Sequence, residues 1–492
     1  MGKYIHQSKG YKGSTRVRII IKEGREVSAI EHIGVAHNED ELKMLLALAR
    51  EKLKDERQQE FKFSEFEGLA ESEIIHKKSY SKYLYDTISK VYDKLKITEI
   101  RDEIFKQVVI ARIIKPSSKL ETVEILKKLQ LEYTVSNSGI WRCLRRAIKG
   151  SYREKISERF IEFAGIERAT LLMYDVTTLY FEIDKEDGYR KRGYSKERRL
   201  EPQIVIGLLV DRNGFPLAIN SFEGNKAETK TLAPVLKAFK RENGIEEITV
   251  VADAGMLSAD NLDKLEKEGF KFIVGSRNYK TPYEITAYHC NAVKKIEDKE
   301  MFDTLQTFGD SETVRRVIYQ YKEDRAKLDN INIDKQLSKA QEQKASNAKI
   351  KKAKFLKIVK SKKEIDYEAV EAARQMAGIK GYVTNLTCDM QTVIDAYHGL
   401  FEVEKSFRMT KSDLQARPIF HQKRDSIEAH LTVCFAALGI CRYIQDKTKL
   451  SIKRFINRLS ELQTAIIEIA GKKHIAKPEI DAETRNIIKL LE

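Results

Sequence analysis

ATLLMYDVTTLYFEI, residues 169–183, is an apolar stretch rich in β-branched and aromatic side chains, and it predicts a buried strand. EPQIVIGLLVDRNGFPLAINSFEG follows at 201–224 and predicts two more strands around a turn at Asn213-Gly214. Beyond it, strand and helix patterns alternate: a helix at 229–243, a strand in 246–255, a capped helix at 258–270 and a strand at 271–277. This order predicts a mixed α/β sheet flanked by helices.

The region before this sheet is mainly helical by pattern. Residues 15–33 alternate apolar and polar around Glu23-Gly24, which predicts a β-hairpin, and the periodicity of 39–58 predicts a helix. Within the helical stretch 80–165, SNSG at 136–139 predicts a turn. In the helix after it, basic residues spaced i, i+3, i+4 and i+7 share one face: Arg142, Arg145, Arg146 and Lys149. This arrangement suits a helix-turn-helix that binds DNA; a solvated helix face is the alternative.

A charged segment, residues 279–379, interrupts the sheet pattern. Between residues 344 and 363 there are nine lysines and no acid. Unopposed positive charge of this density favours contact with phosphates, and we predict that Lys351, Lys352 and Lys354 bind DNA. A solvated helical face is the alternative. GYVTNLT at 381–387 returns to a strand pattern, and two helices follow, the second of them largely buried.

Five segments follow from these patterns. We predict a mainly helical N-terminal region that binds DNA (1–165), the first part of an α/β core (166–278), a basic insertion (279–379), the second part of the core (380–445) and a helical tail (446–492).

The charge balance restricts the class of partner. Ninety Lys and Arg against 74 Asp and Glu give a net charge of +16, which favours nucleic acid or an anionic membrane surface; an inert basic surface is the alternative. The longest uncharged run, 429–441, is too short to span a bilayer. Five scattered cysteines and an N-terminus without an apolar core predict a cytoplasmic protein rather than a secreted, disulfide-bonded one.

Two aspartates follow apolar strands directly. Asp175 comes after LLMY and Asp253 after ITVVA. A carboxylate at such a position is costly to desolvate unless it is paired, metal-bound or at a sheet edge. Clustered carboxylates in a basic protein suggest Mg²⁺, since hard cations take oxygen ligands and two ions can assist phosphoryl transfer. The helices after the insertion offer three candidates for a third acid: Glu402, Glu404 and Glu428.

One of these acids lies in a recognisable motif. Tyr397, Leu400, Glu404 and Lys411 form the pattern Y-x2-L-x3-E-x6-K, which resembles the Y-x2-R-x3-E-x6-K signature of the IS-four superfamily of DDE transposases from bacterial insertion sequences. DVTT at 175–178, ADAGM at 252–256 and EKSFRMTKSDLQARPIFH at 404–421 look like the three acidic blocks of that group. GYSKERRLEPQIVIGLLVDRNGFPL at 193–217 is similar too, so that the resemblance covers roughly residues 165–445.

The resemblance implies an RNase H-like core split by the insertion. It implies that Asp175 lies on the first central strand, that Asp253 ends its neighbour and that Glu404 comes from a later helix, the three acids holding two Mg²⁺ ions, with Mn²⁺ as a substitute. It also implies that Tyr397 and Lys411 grip phosphates. The arginine of the signature is Leu400 here, a core-facing residue, and we expect Arg408 to supply the missing charge.

The predicted function is that of a DDE transposase. It would bind terminal inverted repeats and target DNA, cut and join strands in a Mg²⁺-dependent reaction, and dimerise in a synaptic complex in the nucleoid-associated cytoplasm of a prokaryote. An RNase H-like nuclease or resolvase without strand transfer is one alternative. A DNA-binding derivative without catalysis is another.

Overall fold

The computed structural model describes residues 2–9, 14–23, 26–55, 74–129, 135–167, 169–182, 185–194, 200–256, 258–276, 296–308, 311–345, 354–359, 362–417, 419–469 and 472–492. The chain divides into two compact units. The terminal unit comprises Met1–Tyr83 and Leu459–Asn486, and the central unit comprises Leu84–Arg458 and Ile487–Glu492. The predicted domain boundary at residue 165 therefore lies inside the central unit.

The terminal unit begins with a three-stranded antiparallel sheet. Its strands are β1 (Gly2–Lys9), β2 (Thr15–Glu23) and β3 (Glu26–Ala36), in that order, and helix α1 (Glu39–Asp55) covers one face. Alternate residues of β2, Val17 and Ile19, pack against Ala49 of α1 because successive strand side chains point to opposite faces. The predicted hairpin and helix are confirmed, and β1 is an additional strand.

A second sheet in the terminal unit corrects the prediction of a wholly helical tail. β15 (Thr464–Ile469) lies between β16 (Lys472–Ala476) and β4 (Ile74–Tyr80). The residues of β15 alternate in burial, with Ala465, Ile467 and Ile469 in the core, and this period of two belongs to a strand. The partner strand β4 lies almost 400 residues earlier, so local pattern could not reveal the pairing. Two helices in the tail are confirmed: α14 (Ile452–Ser460) and α15 (Ala482–Leu491).

The first part of the central unit is a set of helices, as predicted for residues 80–165. They are α2 (Lys82–Lys94), α3 (Glu103–Ile114), α4 (Lys119–Lys128), α5 (Asn137–Lys149) and α6 (Tyr152–Ala164). The turn predicted at SNSG was wrong. Ser136 caps α5 instead, because its hydroxyl oxygen accepts the backbone N–H of Gly139 at 3.1 Å, which is the usual task of an N-cap serine.

Helix α13 (Arg424–Thr448) is the centre of this helical layer. Helices α3, α5 and α6 all pack on it, and nearly every residue from Ala429 to Ile444 is buried. Among the described residues it is the one helix long and apolar enough to cross a membrane, but 94% of its apolar window is buried inside the protein, as for a core helix. Gly439 allows the close approach of α6, since a Cβ there would lie 2.2 Å from the ring of Phe160.

The predicted mixed sheet is present and has eight strands. They are β5 (Ala169–Tyr180), β6 (Gln203–Asp211), β7 (Pro216–Glu223), β8 (Glu247–Ala252), β9 (Lys271–Gly275), β10 (Met301–Gln306), β11 (Arg315–Tyr321) and β14 (Ile379–Thr384). Their order is β10-β11-β14-β9-β8-β5-β6-β7, and β8 pairs in parallel with both β5 and β9, whereas all other pairs are antiparallel. Helix α7 (Leu232–Asn243) lies between β7 and β8 in the chain, and α8 (Ala259–Lys267) connects the parallel strands β8 and β9.

The segment predicted as an insertion has two parts. Strands β10 and β11 belong to the central sheet. The rest forms helix α9 (Glu323–Ala345), the hairpin β12 (Leu356–Val359) and β13 (Lys362–Ile365), and helix α10 (Tyr367–Gln375), which share a small core around Phe355. Helices α11 (Met390–His398) and α12 (Phe401–Arg408) follow β14 and pack on the sheet.

A buried basic cluster makes the stability of the central unit depend on pH. The ammonium of Lys119 donates to Nε2 of His421, whose ring also lies 5.4 Å from that of His430. Burial, with Lys119 and Arg112 nearby, lowers the pKa of His421 from 6.5 to about 4, and burial also lowers that of His430. Below pH 6.5 these two imidazoles therefore bind protons more readily in the unfolded chain than in the folded protein. Stability is fully present above pH 6.5 and is lost as the pH falls towards 4.

We expect His421→Gln to reduce this loss. Between pH 6.5 and 4.5 the free energy of unfolding of the wild type should fall by about 1–2 kcal/mol more than that of the variant, after allowance for the partial exposure of the ring. Urea titrations at several pH values measure the difference. The exposed His37 of the terminal unit supplies a control, His37→Gln, which should keep the wild-type slope. Parallel pH profiles for His421→Gln and wild type would contradict the assignment.

Candidate active site

Two acids meet at one end of the parallel strand pair. The parallel register of β5 and β8 ends at Tyr174 and Ala252, and the residues that follow them in sequence are Asp175 and Asp253. The sequence pattern suggested that the strand ends at Asp175. In the structure β5 continues to Tyr180, in antiparallel pairing with β6. Asp175 is half-buried, and Asp253 is exposed at the start of a short helical turn. The carboxyl ends of parallel strands are where sheets of this kind carry their sites.

Asp253 is bound from two sides. Its Oδ1 accepts the backbone N–H of Ala254 at 2.7 Å, and the hydroxyl of Tyr397 on α11 donates to the same oxygen at 3.4 Å. A Cβ on Gly275 would lie 2.5 Å from the Tyr397 hydroxyl oxygen, so the glycine at the end of β9 leaves the space that the phenol occupies. Tyr397, predicted as a phosphate contact, is thus beside the second aspartate.

The phenol of Tyr397 remains protonated in this setting. Burial raises its pKa, and the negative charges of Asp253 and Glu404 raise it further. Its ring stacks edge-on against Tyr382 at 4.9 Å between centroids. Because both acids act on one phenol, Glu404 belongs to the same electrostatic environment as Asp253, and Tyr397 stands there as a hydrogen-bond donor.

Lys380 on β14 is a member of this site that the sequence did not reveal. Its ammonium lies 4.4 Å from the centroid of the Tyr397 ring. Burial, together with Arg325, lowers the pKa of Lys380, whereas Asp253 and Glu404 oppose that effect. The lysine sits in no recognisable motif, and only the antiparallel pairing of β14 with β9 brings it beside the acids.

An open cleft of about 1120 Å³ adjoins these residues. It lies between the ends of the sheet strands and the helices α9 and α10, and its polar lining residues include Asp253, Ser276, Arg325, Asp329, Lys354, Lys380 and Tyr397. Three of these residues are cationic and two are acidic. Such a mixture suits a polyanionic ligand whose phosphates approach carboxylates only where a cation compensates the charge.

The structure separates the three candidates for the third acid. Glu428 accepts the hydroxyl of Tyr189 and pairs with Arg153, both at 2.7 Å. Glu402 pairs with Arg442 at 2.8 Å and with Lys405 at 2.6 Å. The carboxylates of Glu428 and Glu402 thus each form an ion pair with an arginine on another helix and stabilise the packing of those helices. Glu404 is the exposed one on α12 and shares the surroundings of Tyr397 and Lys380.

The donor types at the site fit a hard divalent cation. Asp175, Asp253 and Glu404 offer carboxylate oxygens, which Mg²⁺ and Mn²⁺ prefer. Among the described residues, however, no group of three or more His, Cys, Asp or Glu lies close enough together to hold a metal ion. Joint coordination by all three acids therefore needs their carboxylates to lie closer together than they do here.

The other predicted contacts from the signature helix lie apart from the cleft. Arg408 is exposed and lines a separate cleft of about 940 Å³ with Glu402, Asp413 and Arg442, so this structure does not bring it to Asp253. Lys411 is half-buried in the π-helical turn that follows α12. Leu400 is buried, as expected of a core-facing residue.

The predicted DNA contacts on α5 differ in their surroundings. Arg142 and Arg145 are exposed, and Arg145 lines a groove of about 600 Å³ with Trp141, Lys149 and Phe420. Arg146 is committed to structure, since its guanidinium donates two hydrogen bonds of 2.9 Å to the carboxylate of Asp102, the N-cap of α3. Of the predicted lysines in the basic segment, Lys354 is exposed, whereas Lys351 and Lys352 lie outside the described residues.

Comparison with known proteins identifies the family of the chain. The family model described as the transposase DDE domain matches residues 168–440, more than half of the chain. No curated protein matches the chain significantly. Among solved structures, the chain is similar to the cryo-EM structure of a piggyBac transposase synaptic complex with hairpin DNA, at 12% identity over 77% of this chain and 78% of that chain, with a TM-score of 0.40.

Proposed function

This chain belongs to the family of transposase DDE domains, and we propose that it binds the terminal inverted repeats of an insertion sequence, cuts the DNA there and joins the freed ends to target DNA. Membership of the family implies a polynucleotidyl transferase or nuclease, and members generally use divalent metals. The observation that carries the proposal is the meeting of Asp175 and Asp253 at the end of the β5–β8 pair, with Glu404 in the electrostatic surroundings of Asp253.

We assign the metal to the three acids. Asp175, Asp253 and Glu404 would hold two Mg²⁺ ions, for which Mn²⁺ can substitute. When bound, such ions supply activation of the attacking oxygen and stabilisation of the leaving one. The protein's own part is to fix the acids on rigid strands and a packed helix, and to keep the Tyr397 hydroxyl pointed at Asp253, so that the reacting phosphate is positioned with little reorganisation.

Basic residues around the site would bind the DNA backbone. Tyr397 and Lys411 would contact phosphates near the cleaved end, and Arg408 would do so from the outer side of α12. Arg142, Arg145, Lys351, Lys352 and Lys354 would bind flanking duplex; Arg146 is left out because Asp102 already holds its guanidinium. The +16 charge of the chain supports a polyanionic partner.

The finer classification is part of the same proposal. We assign the chain to the IS-four superfamily of bacterial insertion sequences, on the motif around Glu404, and thus to a prokaryotic cytoplasm. A mixed sheet flanked by helices supports an RNase H-like core, and the helices α9 and α10 with their own small core support an insertion into it. Synapsis of two ends requires at least a transient dimer.

The test uses the full chain and the inverted repeats that flank its gene. Incubation with labelled repeat-end duplex and a supercoiled plasmid should give cuts at the repeat end and covalent joints to the plasmid with Mg²⁺ or Mn²⁺, and neither product with EDTA. Cuts without joints would favour the nuclease or resolvase. Specific binding without cutting in either metal would favour a derivative that has lost catalysis.

A further inference from the structure

The three-stranded sheet of the terminal unit has one face that α1 covers and one face on which no described helix packs, which we call the open face. Alternate residues Ile5, Val17 and Ile19 point towards α1 and form the small core there. The residues between them point the other way, and their cross-strand partners share that face. The side chains of the open face are Tyr4, His6, Ser8, Arg16, Arg18, Ile20, Lys22, Val27, Ile30, His32 and Val35.

The register arranges this open face in rows across the strands. His6, Arg18 and His32 form one row of nitrogen-bearing side chains. Tyr4, Ile20 and Ile30 form an apolar row beside it. The Lys22 ammonium extends over the Tyr4 ring, at 5.6 Å from its centroid. Polar and apolar rows therefore alternate along the sheet.

The charge of the open face is of one sign. Arg16, Arg18 and Lys22 are cationic, and none of the described side chains on this face is a carboxylate. The exposed acid of β3, Glu31, pairs with Ile19 and so belongs to the α1 side. A face with three cations and no anion repels another copy of itself and attracts a polyanion.

We propose that this open face binds duplex DNA, with Arg16, Arg18 and Lys22 on the phosphates; the inference rests on the proposed function and adds a further DNA-binding surface, on the terminal unit, to it. Alternate residues of a strand stand roughly 7 Å apart, about twice the 3.4 Å rise per phosphate along one DNA strand, so the cations of β2 can follow a backbone. Strands that lie along a DNA groove are an established way for sheets to bind the duplex.

The test compares two charge-matched triple variants of the full chain. Arg16→Gln, Arg18→Gln and Lys22→Gln together remove three charges from the open face. Lys9→Gln, Lys43→Gln and Arg50→Gln together remove three exposed charges from the α1 side. The probe is repeat-end duplex, and its affinity is measured from 50 to 300 mM salt. The open-face variant should lower the slope of log affinity against log salt by about 2–3, as expected for three phosphates, and the α1-side variant by less than about 1.

Further readouts distinguish DNA binding by the open face from a folding defect and from self-association. Arg16→Lys with Arg18→Lys keeps the charges and should keep the wild-type slope, which a folding defect would not do. Metal-dependent cleavage by the open-face variant, at protein concentrations that saturate the DNA, tests the three acids separately, because they are untouched. An unchanged slope in the open-face variant overturns this surface, while wild-type cleavage leaves the proposed function standing. If the open-face variant lost self-association and kept its affinity for DNA, the face would be a contact between two copies of the chain. That result would also contradict the proposed DNA binding.

Discussion

Replacing Asp175, Asp253 or Glu404 by alanine should lower metal-dependent cleavage of repeat-end DNA at least about 1,000-fold, while DNA binding persists. Such a loss corresponds to about 4 kcal/mol of transition-state stabilisation. The reason is that each substitution removes an oxygen ligand for the ions we assign to the site. Binding should persist because phosphate contacts come from basic side chains, and the removal of a negative charge strengthens attraction to the DNA.

Single-turnover cleavage at saturating protein measures this prediction, and a gel-shift titration monitors binding. Glu371 on α10 offers a control, since it is an exposed glutamate outside the cleft lining, and Glu371→Ala should cleave as the wild type does. A variant of one of the three acids that cuts at the wild-type rate would remove that residue from the site. Equal losses of binding and cleavage would point to misfolding, which circular dichroism would detect.

The second large effect concerns the pair that holds α12. Arg442 is only 9% exposed, and it pairs with Glu402 of α12 at 2.8 Å. Ser406 of the same helix donates to the carbonyl of Gly214 at 2.9 Å. Arg442→Ala should therefore destabilise the central unit by about 2–3 kcal/mol, because it removes one of the two cations that Glu402 contacts and a hydrogen bond to the carbonyl of Asn213. Cleavage should fall as well, about tenfold, since the helix that carries Glu404 loses an anchor.

The matched control removes both charges. Glu402→Gln combined with Arg442→Met removes both charges of the pair, leaves only the more exposed ammonium of Lys405 without its carboxylate, and should recover at least half of the stability lost in Arg442→Ala. Urea unfolding of the wild type, Glu402→Gln, Arg442→Met and the double variant gives the coupling energy, and cleavage is measured on the same samples. Additive losses in the double variant would show that the pair does not hold the helix. Recovered stability with poor cleavage would instead give Arg442 a further part in the reaction.

Sequence pattern predicted those parts of the fold whose signal is local. The hairpin β2–β3, the helices of residues 80–165 and the strand-rich core appear where periodicity predicted them, because burial of one face imposes a period of two or 3.6 on nearby residues. The wrong turn at SNSG shows the limit of such reasoning. Serine and asparagine serve turns and helix N-caps alike, and only the hydrogen bond from Gly139 to Ser136 distinguishes the two.

Long-range pairing escaped prediction. Strand β15 pairs with β4 across almost 400 residues, and β10 and β11 extend the central sheet from within a charged segment. In both places the partner is remote in sequence, so local composition carries little of the information. In these segments the hydrogen bonds and the burial that a neighbouring strand provides outweigh the intrinsic secondary-structure preference of the residues.

The sequence by itself was enough to identify three features: the two aspartates that directly follow apolar strand patterns, the motif around Glu404 and the excess of positive charge. Only the tertiary structure decided which of the three candidate glutamates are held in ion pairs with arginine, because Arg153 engages Glu428 and Arg442 engages Glu402. It also brought Lys380 beside Tyr397 and left one face of the terminal sheet open and cationic. The physical reason is that the sequence itself shows which side chains carry charge or can bind metal. Which of these side chains become neighbours depends on how strands and helices that are remote in sequence pack together.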